Sequence, residues 1–157
     1  MKTFTIIEPK TDSEYNEYYR IRYEILRKPW NQPEKSTKDE TELTSVHLLA
    51  KDETGKAVAT GRMQFNSEEE AQIRSMAVID EYQGNGIGSL LIDHLEKIAL
   101  EKKIKRITLD SRENAVQFYI RNGYKVIEPS YLLFGLIKHF KMQNISYDSV
   151  FLQTFNK

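Results

Sequence analysis

The feature that most constrains this chain is a turn with three glycines, placed where an apolar strand passes into an amphipathic helix. Gly84, Gly86 and Gly88 alternate between a strand predicted to end at Ile79 and a helix predicted to begin at Gly86. Glycine amides are not shielded by a side chain, and the first amides of a helix have no intrahelical partners. The positive end of the helix dipole lies at the same place. The stretch therefore predicts an anion-binding turn of the kind that holds phosphate.

Two well-known nucleotide motifs also contain glycine-rich turns, but their spacing does not match this one. The dinucleotide fingerprint needs glycines at relative positions one, three and six, whereas Ser89 occupies the sixth position here, and the glycine turn does not lie in a first βα unit at the N-terminus. The P-loop ends in Gly-Lys-Ser/Thr, whereas Gly88 is followed by Ser89 and Leu90. A nucleotide-binding domain is therefore disfavoured and is kept as a third alternative.

Composition limits the class of protein. The 157 residues fit one domain, and 23 basic against 23 acidic residues disfavour a dedicated nucleic-acid or anionic membrane surface. The chain has no cysteine, which excludes disulfides, thiol nucleophiles and thiolate metal sites. His47, His94 and His139 lack acidic partners at ligand spacing, so no metal site is expected. No signal peptide and no apolar run of ~20 residues is recognised, so a cytoplasmic protein without membrane partners is expected.

Hydrophobic periodicity predicts alternating strands and helices. Strands are predicted at 3–7, 45–51, 56–65, 71–79, 105–110, 124–127 and 132–142, and helices at 13–27, from 86 to the 101–103 segment, and at 114–122. The turn at 53–55 makes a hairpin, Gly123 ends the last helix, and Pro129 breaks the strand before it. This order predicts an α/β fold around one mixed sheet.

Two segments have less definite patterns. Residues 28–42 are polar and predict a loop, with a helical turn after Thr37 as an option. Trp30 is interpreted as an anchor that fastens this loop to the core; the alternative is that it lines an acceptor pocket. The tail at 145–155 holds Tyr147, Val150, Phe151, Leu152 and Phe155 and is too apolar for a free terminus. It therefore either packs as an extra element or docks on a partner chain, as in a homodimer.

Two blocks together resemble one family. The sequence Q-G-N-G-I-G after a strand ending in M-A-V is similar to the Q/R-x-x-G-x-G/A acetyl-coenzyme A signature of the GNAT acetyltransferase superfamily, with Gln83, Gly86 and Gly88 at its defined positions. The block at 109–124 is similar to the family's N-A-x-x-F-Y-x-x-x-G-Y block. The two blocks occur in the family's order and at its usual separation, and the predicted elements resemble the family from Thr3 to Met142.

The resemblance implies a single-domain GNAT-type α/β fold: a mixed, mostly antiparallel sheet with a splayed central strand pair, flanked by helices. Residues 1–143 would form the acetyltransferase domain, and residues 144–157 a C-terminal extension that packs on the domain or on a partner. The strands at 72–79 and 105–110 are expected to diverge after their first few residues, because a fully paired strand has no free amides to offer a ligand.

The resemblance also implies site residues. In the binding of acetyl-coenzyme A, the backbone of Met76, Ala77 and Val78 would pair with the pantetheine arm, and Asn114 would contact the pantetheine side. The pyrophosphate would be held by the amides of Gly84, Asn85, Gly86, Ile87, Gly88 and Ser89, and Gln83 is the further signature residue implied to bind the cofactor. Tyr119 matches the family's usual general acid, which protonates the departing thiolate. The alternative for Tyr119 is a purely structural tyrosine packed beside Phe118.

The implied reaction transfers acetyl from acetyl-coenzyme A to a primary amine of an unidentified small molecule or peptide by direct attack. The absence of cysteine is consistent with a reaction that uses no enzyme nucleophile. The candidates for the general base are Glu24, His47, Glu113 and water. The alternative for His47 is an ordinary hydrogen-bonded strand residue, and the alternative for Glu24 is a solvated helix residue. A non-catalytic acyl-coenzyme A-binding sensor or interaction module is the alternative function.

Overall fold

The computed structural model describes residues 2–155, which form seven strands and four α-helices. The strands are β1 (Phe4–Ile7), β2 (Val46–Asp52), β3 (Ala57–Phe65), β4 (Glu70–Val78), β5 (Arg106–Arg112), β6 (Tyr124–Leu133) and β7 (Ile137–Asn144). The helices are α1 (Asp12–Leu26), α2 (Ile87–Glu101), α3 (Val116–Arg121) and α4 (Ile145–Phe155). Among the described residues, no helix is long and apolar enough to cross a membrane.

The strands form one sheet in the order β1-β2-β3-β4-β5-β7-β6. β4 and β5 run parallel, whereas β1 with β2, β2 with β3, β5 with β7 and β6 with β7 run antiparallel. The predicted mixed, mostly antiparallel sheet flanked by helices is confirmed. The chain divides into two compact units: a first unit of Met1–Gln64 with Ser75–Leu95, and a second unit of Phe65–Arg74 with Glu96–Lys157.

In the first unit, α1 begins at a capping box. The Thr11 hydroxyl accepts from the Glu14 amide at 3.1 Å, and the Glu14 carboxylate accepts from the Thr11 amide at 3.1 Å. This reciprocal pair satisfies two amides that a helix N-terminus otherwise leaves without partners, so the helix starts here. The inward face of α1 buries Tyr18 and Ile21 against Leu49 and its neighbours in the sheet. The predicted first helix is confirmed, shifted by one residue.

The loop after α1 differs from the prediction. It contains three short 3₁₀ turns, Lys28–Trp30, Glu34–Thr37 and Glu42–Thr44, so that one helical turn does follow Thr37 and two more begin before it. The side chain of Trp30 is 37 % exposed, and the interpretation of Trp30 as an anchor on the core is therefore wrong.

What fastens this loop is a buried charge cluster, made of Arg22, Asp39, Glu42 and Arg62. Glu42 lies 2.6 Å from the Arg22 guanidinium and 2.9 Å from that of Arg62, while Asp39 lies 2.7 Å from Arg62. Both arginines are at most 2 % exposed, so their charges must be balanced inside the protein. Two cations and two carboxylates give that balance, and they connect the loop to α1 and β3.

In the second unit, β6 continues further than predicted. Pro129 was expected to break this strand, but β6 runs on to Leu133, with register shifts on both sides of Pro129. β6 lies at the edge of the sheet, where a residue without an amide N–H need not cost a ladder hydrogen bond. The predicted strand at 132–142 is therefore divided by a tight turn at 134–136, and β7 starts at Ile137.

The C-terminal tail folds as helix α4. Tyr147 and Phe151 are buried, and the Tyr147 hydroxyl donates to the carbonyl of Ile104 at 2.5 Å. The tail thus packs as an additional element of the second unit, which was one of the two predicted options. Leu152 remains 55 % exposed, and residues 156 and 157 of the predicted extension lie outside the described residues.

Candidate functional site

The parallel ladder between β4 and β5 is short. Within the second unit it pairs Glu70–Ile73 with Arg106–Leu109, and it ends there although β5 continues to Arg112. The expected incomplete ladder is thus confirmed. In the first unit, Ser75 follows with φ of 54°, a left-handed conformation that interrupts the regular pleat of β4. The Thr60 hydroxyl donates to the Ser75 carbonyl at 3.0 Å and holds this irregular backbone in place.

The three residues predicted to pair with pantetheine, Met76, Ala77 and Val78, are the last three of β4. Ala77 is 3 % exposed and belongs to the core around Tyr18. Directly after them, the Ile79 amide donates to the Val58 carbonyl of β3 at 3.0 Å. The segment is therefore separated from the glycine turn by one short 3₁₀ turn, Asp80–Tyr82.

The glycine turn has an open, left-handed backbone. Gly84 has φ of +81° and Gly86 has φ of +79°, values that disfavour any residue with a Cβ atom. A Cβ added at either position would meet no atom within 4 Å, so the space above the turn is open. The Gly86 carbonyl accepts from the Leu90 amide at 3.1 Å, and α2 starts at Ile87, one residue later than predicted. The amides that open α2 follow these glycines directly, which is the arrangement of an anion-binding turn.

Gln83 and Asn85 use their side chains to shape the turn itself. Asn85 Nδ2 donates to the Tyr82 carbonyl at 3.0 Å and to the Gln83 carbonyl at 3.3 Å. Gln83 Nε2 donates to the Val78 carbonyl at 3.2 Å and to Asp80 Oδ1 at 3.3 Å. Both side chains thus donate to residues 78–83, which precede Gly84. The main-chain amides of the turn are then the groups available to a phosphate.

The second unit holds the other predicted site residues. Asn114 lies in a short 3₁₀ turn, Glu113–Ala115, and is exposed, while α3 covers only Val116–Arg121 of the helix predicted at 114–122. Gly123 ends α3 with φ of +95°, as predicted. Tyr119 is 8 % exposed on α3.

Tyr119 has a packed ring and a hydroxyl without a protein partner. Its ring meets Phe118 edge-on at 5.0 Å and Tyr124 at 5.9 Å between centroids. Among residues 2–155, none forms a hydrogen bond with the Tyr119 hydroxyl. Burial raises the pKa of Tyr119, and the positive charge of Arg112 partly offsets this rise. Tyr119 thus packs beside Phe118, and its hydroxyl is also available to a ligand.

The candidate bases have different surroundings. The carbonyl of Glu42 lies 2.7 Å from His47 Nε2, so this nitrogen carries the proton, and Nδ1 accepts from the Tyr18 hydroxyl at 2.6 Å. Both ring nitrogens of His47 thus have hydrogen-bond partners, and burial lowers its pKa. His47 is therefore an ordinary hydrogen-bonded strand residue, which was one of its two interpretations. Glu24 is exposed and pairs with Arg20 at 3.0 Å, and Glu113 is exposed as well.

Two groups escaped the sequence analysis: the buried charge cluster, and a hydrogen bond of 2.5 Å between the Tyr82 hydroxyl and Asp52. Two signals for this hydrogen bond were available in the sequence: an aspartate that opens a hairpin turn, and an aromatic residue directly before the glycine signature. Within the described part of the chain, no group of three or more potential metal ligands occurs.

Comparison with known proteins agrees with this architecture. The family model described as "Acetyltransferase (GNAT) family" matches residues 12–124. The uncharacterized N-acetyltransferase YjcF of Bacillus subtilis (strain 168) is 26 % identical over 133 residues, which cover 85 % of this chain and 94 % of YjcF. These matches show that the chain belongs to the GNAT family of acetyltransferases, and it is an enzyme of the N-acetyltransferase class.

Solved structures show the same fold. An aminoglycoside 6'-N-acetyltransferase complexed with coenzyme A is similar with a TM-score of 0.73 at 15 % identity, covering 88 % of this chain and 95 % of that one. A GNAT family acetyltransferase from Elizabethkingia anophelis with acetyl-CoA bound has a TM-score of 0.68 at 14 % identity, covering 89 % and 96 %. The predicted GNAT-type fold and family membership are thus confirmed.

Proposed function

We propose that this enzyme transfers acetyl from acetyl-coenzyme A to a primary amine. The observation that carries the proposal is the open left-handed turn at Gly84 and Gly86, directly before the amides that begin α2. In the proposal, the amides of residues 84–89 bind the pyrophosphate, and the side chains of Gln83 and Asn85 keep the turn in shape. Two proteins of the same fold were solved with coenzyme A or acetyl-CoA, which supports this donor.

The backbone of Met76, Ala77 and Val78 would pair with the pantetheine arm as an added strand, and Asn114 would bind the same arm. The amine attacks the thioester carbonyl carbon, a C–N bond forms, and the C–S bond breaks. An amide N–H at Val78 would stabilise the oxyanion formed during attack, as preorganised donors do in acyl transfer. The amine loses its proton to water or to a base that the described residues do not single out.

Tyr119 is proposed to donate its hydroxyl proton to the departing thiolate. A phenol near pKa ~10 is a weaker acid than a thiol near ~8.5, so complete transfer is uphill by ~2 kcal/mol before any shift. Burial raises the pKa of Tyr119 further and makes full transfer more costly, while Arg112 partly offsets this. The main contribution expected of Tyr119 is therefore a hydrogen bond that strengthens as negative charge develops on sulfur.

We expect Tyr119→Phe to lower kcat by roughly 10²-fold, at the lower end of the range for general acids. The ring contacts with Phe118 and Tyr124 are kept in this variant, so a steady-state assay of coenzyme A release reports the hydroxyl alone. Tyr124→Phe is the matched control: it removes the hydroxyl that bonds to Glu96 at 3.3 Å and should leave kcat unchanged. If Tyr119→Phe retains full kcat, Tyr119 has only the packing role.

The donor is tested by thermal denaturation with acetyl-coenzyme A, coenzyme A, NAD or ATP. A ligand present at about 100 times its Kd should add ~2.7 kcal/mol to the unfolding free energy, and only the two coenzyme A forms should do so. Stabilisation by NAD or ATP without stabilisation by either coenzyme A form would contradict the proposal.

Release assays over small amines, polyamines and peptides then identify the acceptor, and binding without turnover on any amine would favour the non-catalytic module. A cytoplasmic location, a homodimer and the absence of nucleic-acid or membrane partners stay predictions.

A further inference from the structure

Tyr82 links the glycine turn to the rest of the first unit. It is the last residue of the 3₁₀ turn Asp80–Tyr82 and directly precedes Gln83. Its hydroxyl donates to Asp52 Oδ2 at 2.5 Å, and its ring meets Phe4 of β1 edge-on at 6.0 Å. One tyrosine therefore connects the segment that leads into the turn to both β1 and the end of β2.

Asp52 is itself held rigidly. Its other oxygen, Oδ1, accepts from the Thr54 amide at 2.9 Å, the Thr54 hydroxyl at 2.6 Å and the Lys56 amide at 3.0 Å. These bonds cap the hairpin turn between β2 and β3, where Gly55 has φ of +88°. The hydrogen bonds from Thr54 and then Tyr82 lower the pKa of Asp52, so it is a carboxylate at neutral pH. Asp52 thus presents a fixed charged acceptor to the Tyr82 hydroxyl.

The connection continues from Tyr82 into the turn. The Tyr82 amide donates to the Ile79 carbonyl at 3.0 Å, and the Tyr82 carbonyl accepts from Asn85 Nδ2 at 3.0 Å. Gly84 and Gly86 have no side chains with which to pack, and an added Cβ would meet nothing within 4 Å. The position of the turn therefore depends on the residues before it and on the helix after it.

We infer that Asp52 and Tyr82 are positioning residues that hold the 83–86 turn in its phosphate-binding shape and so set the affinity for the pyrophosphate of the donor. The inference rests on the proposed function, because it assumes that this turn binds coenzyme A. Neither residue touches the reacting thioester in this scheme. They act through the Tyr82 carbonyl and Asn85, by keeping the amides of the turn preorganised before the ligand arrives.

Tyr82→Phe isolates the proposed link. It removes one hydroxyl and keeps the ring against Phe4 and beneath the ammonium groups of Lys2 at 4.5 Å and Lys56 at 5.8 Å. We expect the Kd for coenzyme A, measured by titration calorimetry, to rise roughly tenfold, as expected for loss of a hydrogen bond to a charged group. The kcat at saturating acetyl-coenzyme A should stay unchanged, because positioning of the donor phosphates affects binding and not the chemical step.

A truncated donor separates positioning from general distortion. S-acetylpantetheine lacks the pyrophosphate, so kcat/KM with this substrate should be the same for Tyr82→Phe and for the wild type. Asp52→Ala should weaken coenzyme A binding to a similar extent, and combining it with Tyr82→Phe should add little, since both remove the same link. Thr54→Ala is the matched control for loosening of the hairpin. It removes a hydrogen bond to Asp52 Oδ1 but leaves the hydrogen bond between Tyr82 and Asp52 in place.

An unchanged Kd for coenzyme A in Tyr82→Phe would overturn the inference. An equal loss with S-acetylpantetheine, or additive losses in the double variant, would overturn it as well, because the effect would then be a general distortion. These outcomes differ from failure of the proposed function, in which the wild-type protein itself binds no coenzyme A.

Discussion

Glu42→Ala is expected to lower the unfolding free energy by about 3–5 kcal/mol, the usual cost of removing one partner from a buried ion pair. Glu42 is the carboxylate shared by Arg22 and Arg62, at 2.6 Å and 2.9 Å. After the substitution Arg62 still has Asp39, whereas Arg22 keeps its hydrogen bond to the Thr37 carbonyl and its contacts with the rings of Tyr18 and Tyr19, but no carboxylate among the described residues. A cation that is 2 % exposed is then left without a counter-charge. Urea denaturation measures the loss.

Glu40→Ala is the matched control, because Glu40 lies in the same loop and is exposed. Its effect should stay within about 0.5 kcal/mol, as for most surface substitutions. Burial alone would raise the pKa of Glu42, but the hydrogen bond and charge of Arg22, together with the charge of Arg62, outweigh it and lower this pKa below 4.5. The contribution of Glu42 is therefore complete above about pH 4.5 and declines as the pH falls through its folded-state pKa. Similar losses in both variants would contradict the assigned role of the cluster.

Gly86→Val is expected to weaken coenzyme A binding by more than about 100-fold, because a branched side chain would occupy the open space above the turn, where the phosphate is proposed to bind. The φ of +79° adds a backbone cost of about 1–2 kcal/mol for a residue with a Cβ atom. Titration calorimetry with coenzyme A measures the affinity, and thermal denaturation without ligand measures the folding cost.

Gly135→Val provides the matched control for backbone strain. Gly135 has φ of +70°, and a Cβ added there also meets nothing within 4 Å, but it lies in the β6–β7 turn of the second unit. The two variants should lose similar stability, while only Gly86→Val should lose coenzyme A binding. Retained binding in Gly86→Val would show that the phosphate does not lie against this turn.

Local sequence patterns were sufficient wherever the determinant lies within a few residues. The hairpin turn at Gly55 and the end of α3 at Gly123 were both recognisable, because each depends on a φ value within one turn. Pro129 was misjudged for the opposite reason. Whether a proline ends a strand depends on whether its missing amide faces a neighbouring strand, and the edge position of β6 follows from the order of the whole sheet.

The candidate site divides in the same way. The sequence by itself determined the glycine turn, its place between strand and helix, and the family that uses this motif, because all of these are encoded by residue type and spacing along one continuous segment. Only the tertiary structure decided that Tyr82 binds Asp52, thirty positions away, and that Arg22 shares Glu42 with Arg62. Such pairs depend on which strands become neighbours, and a charged or hydroxyl side chain looks the same in a sequence whether it is solvated or buried with a partner.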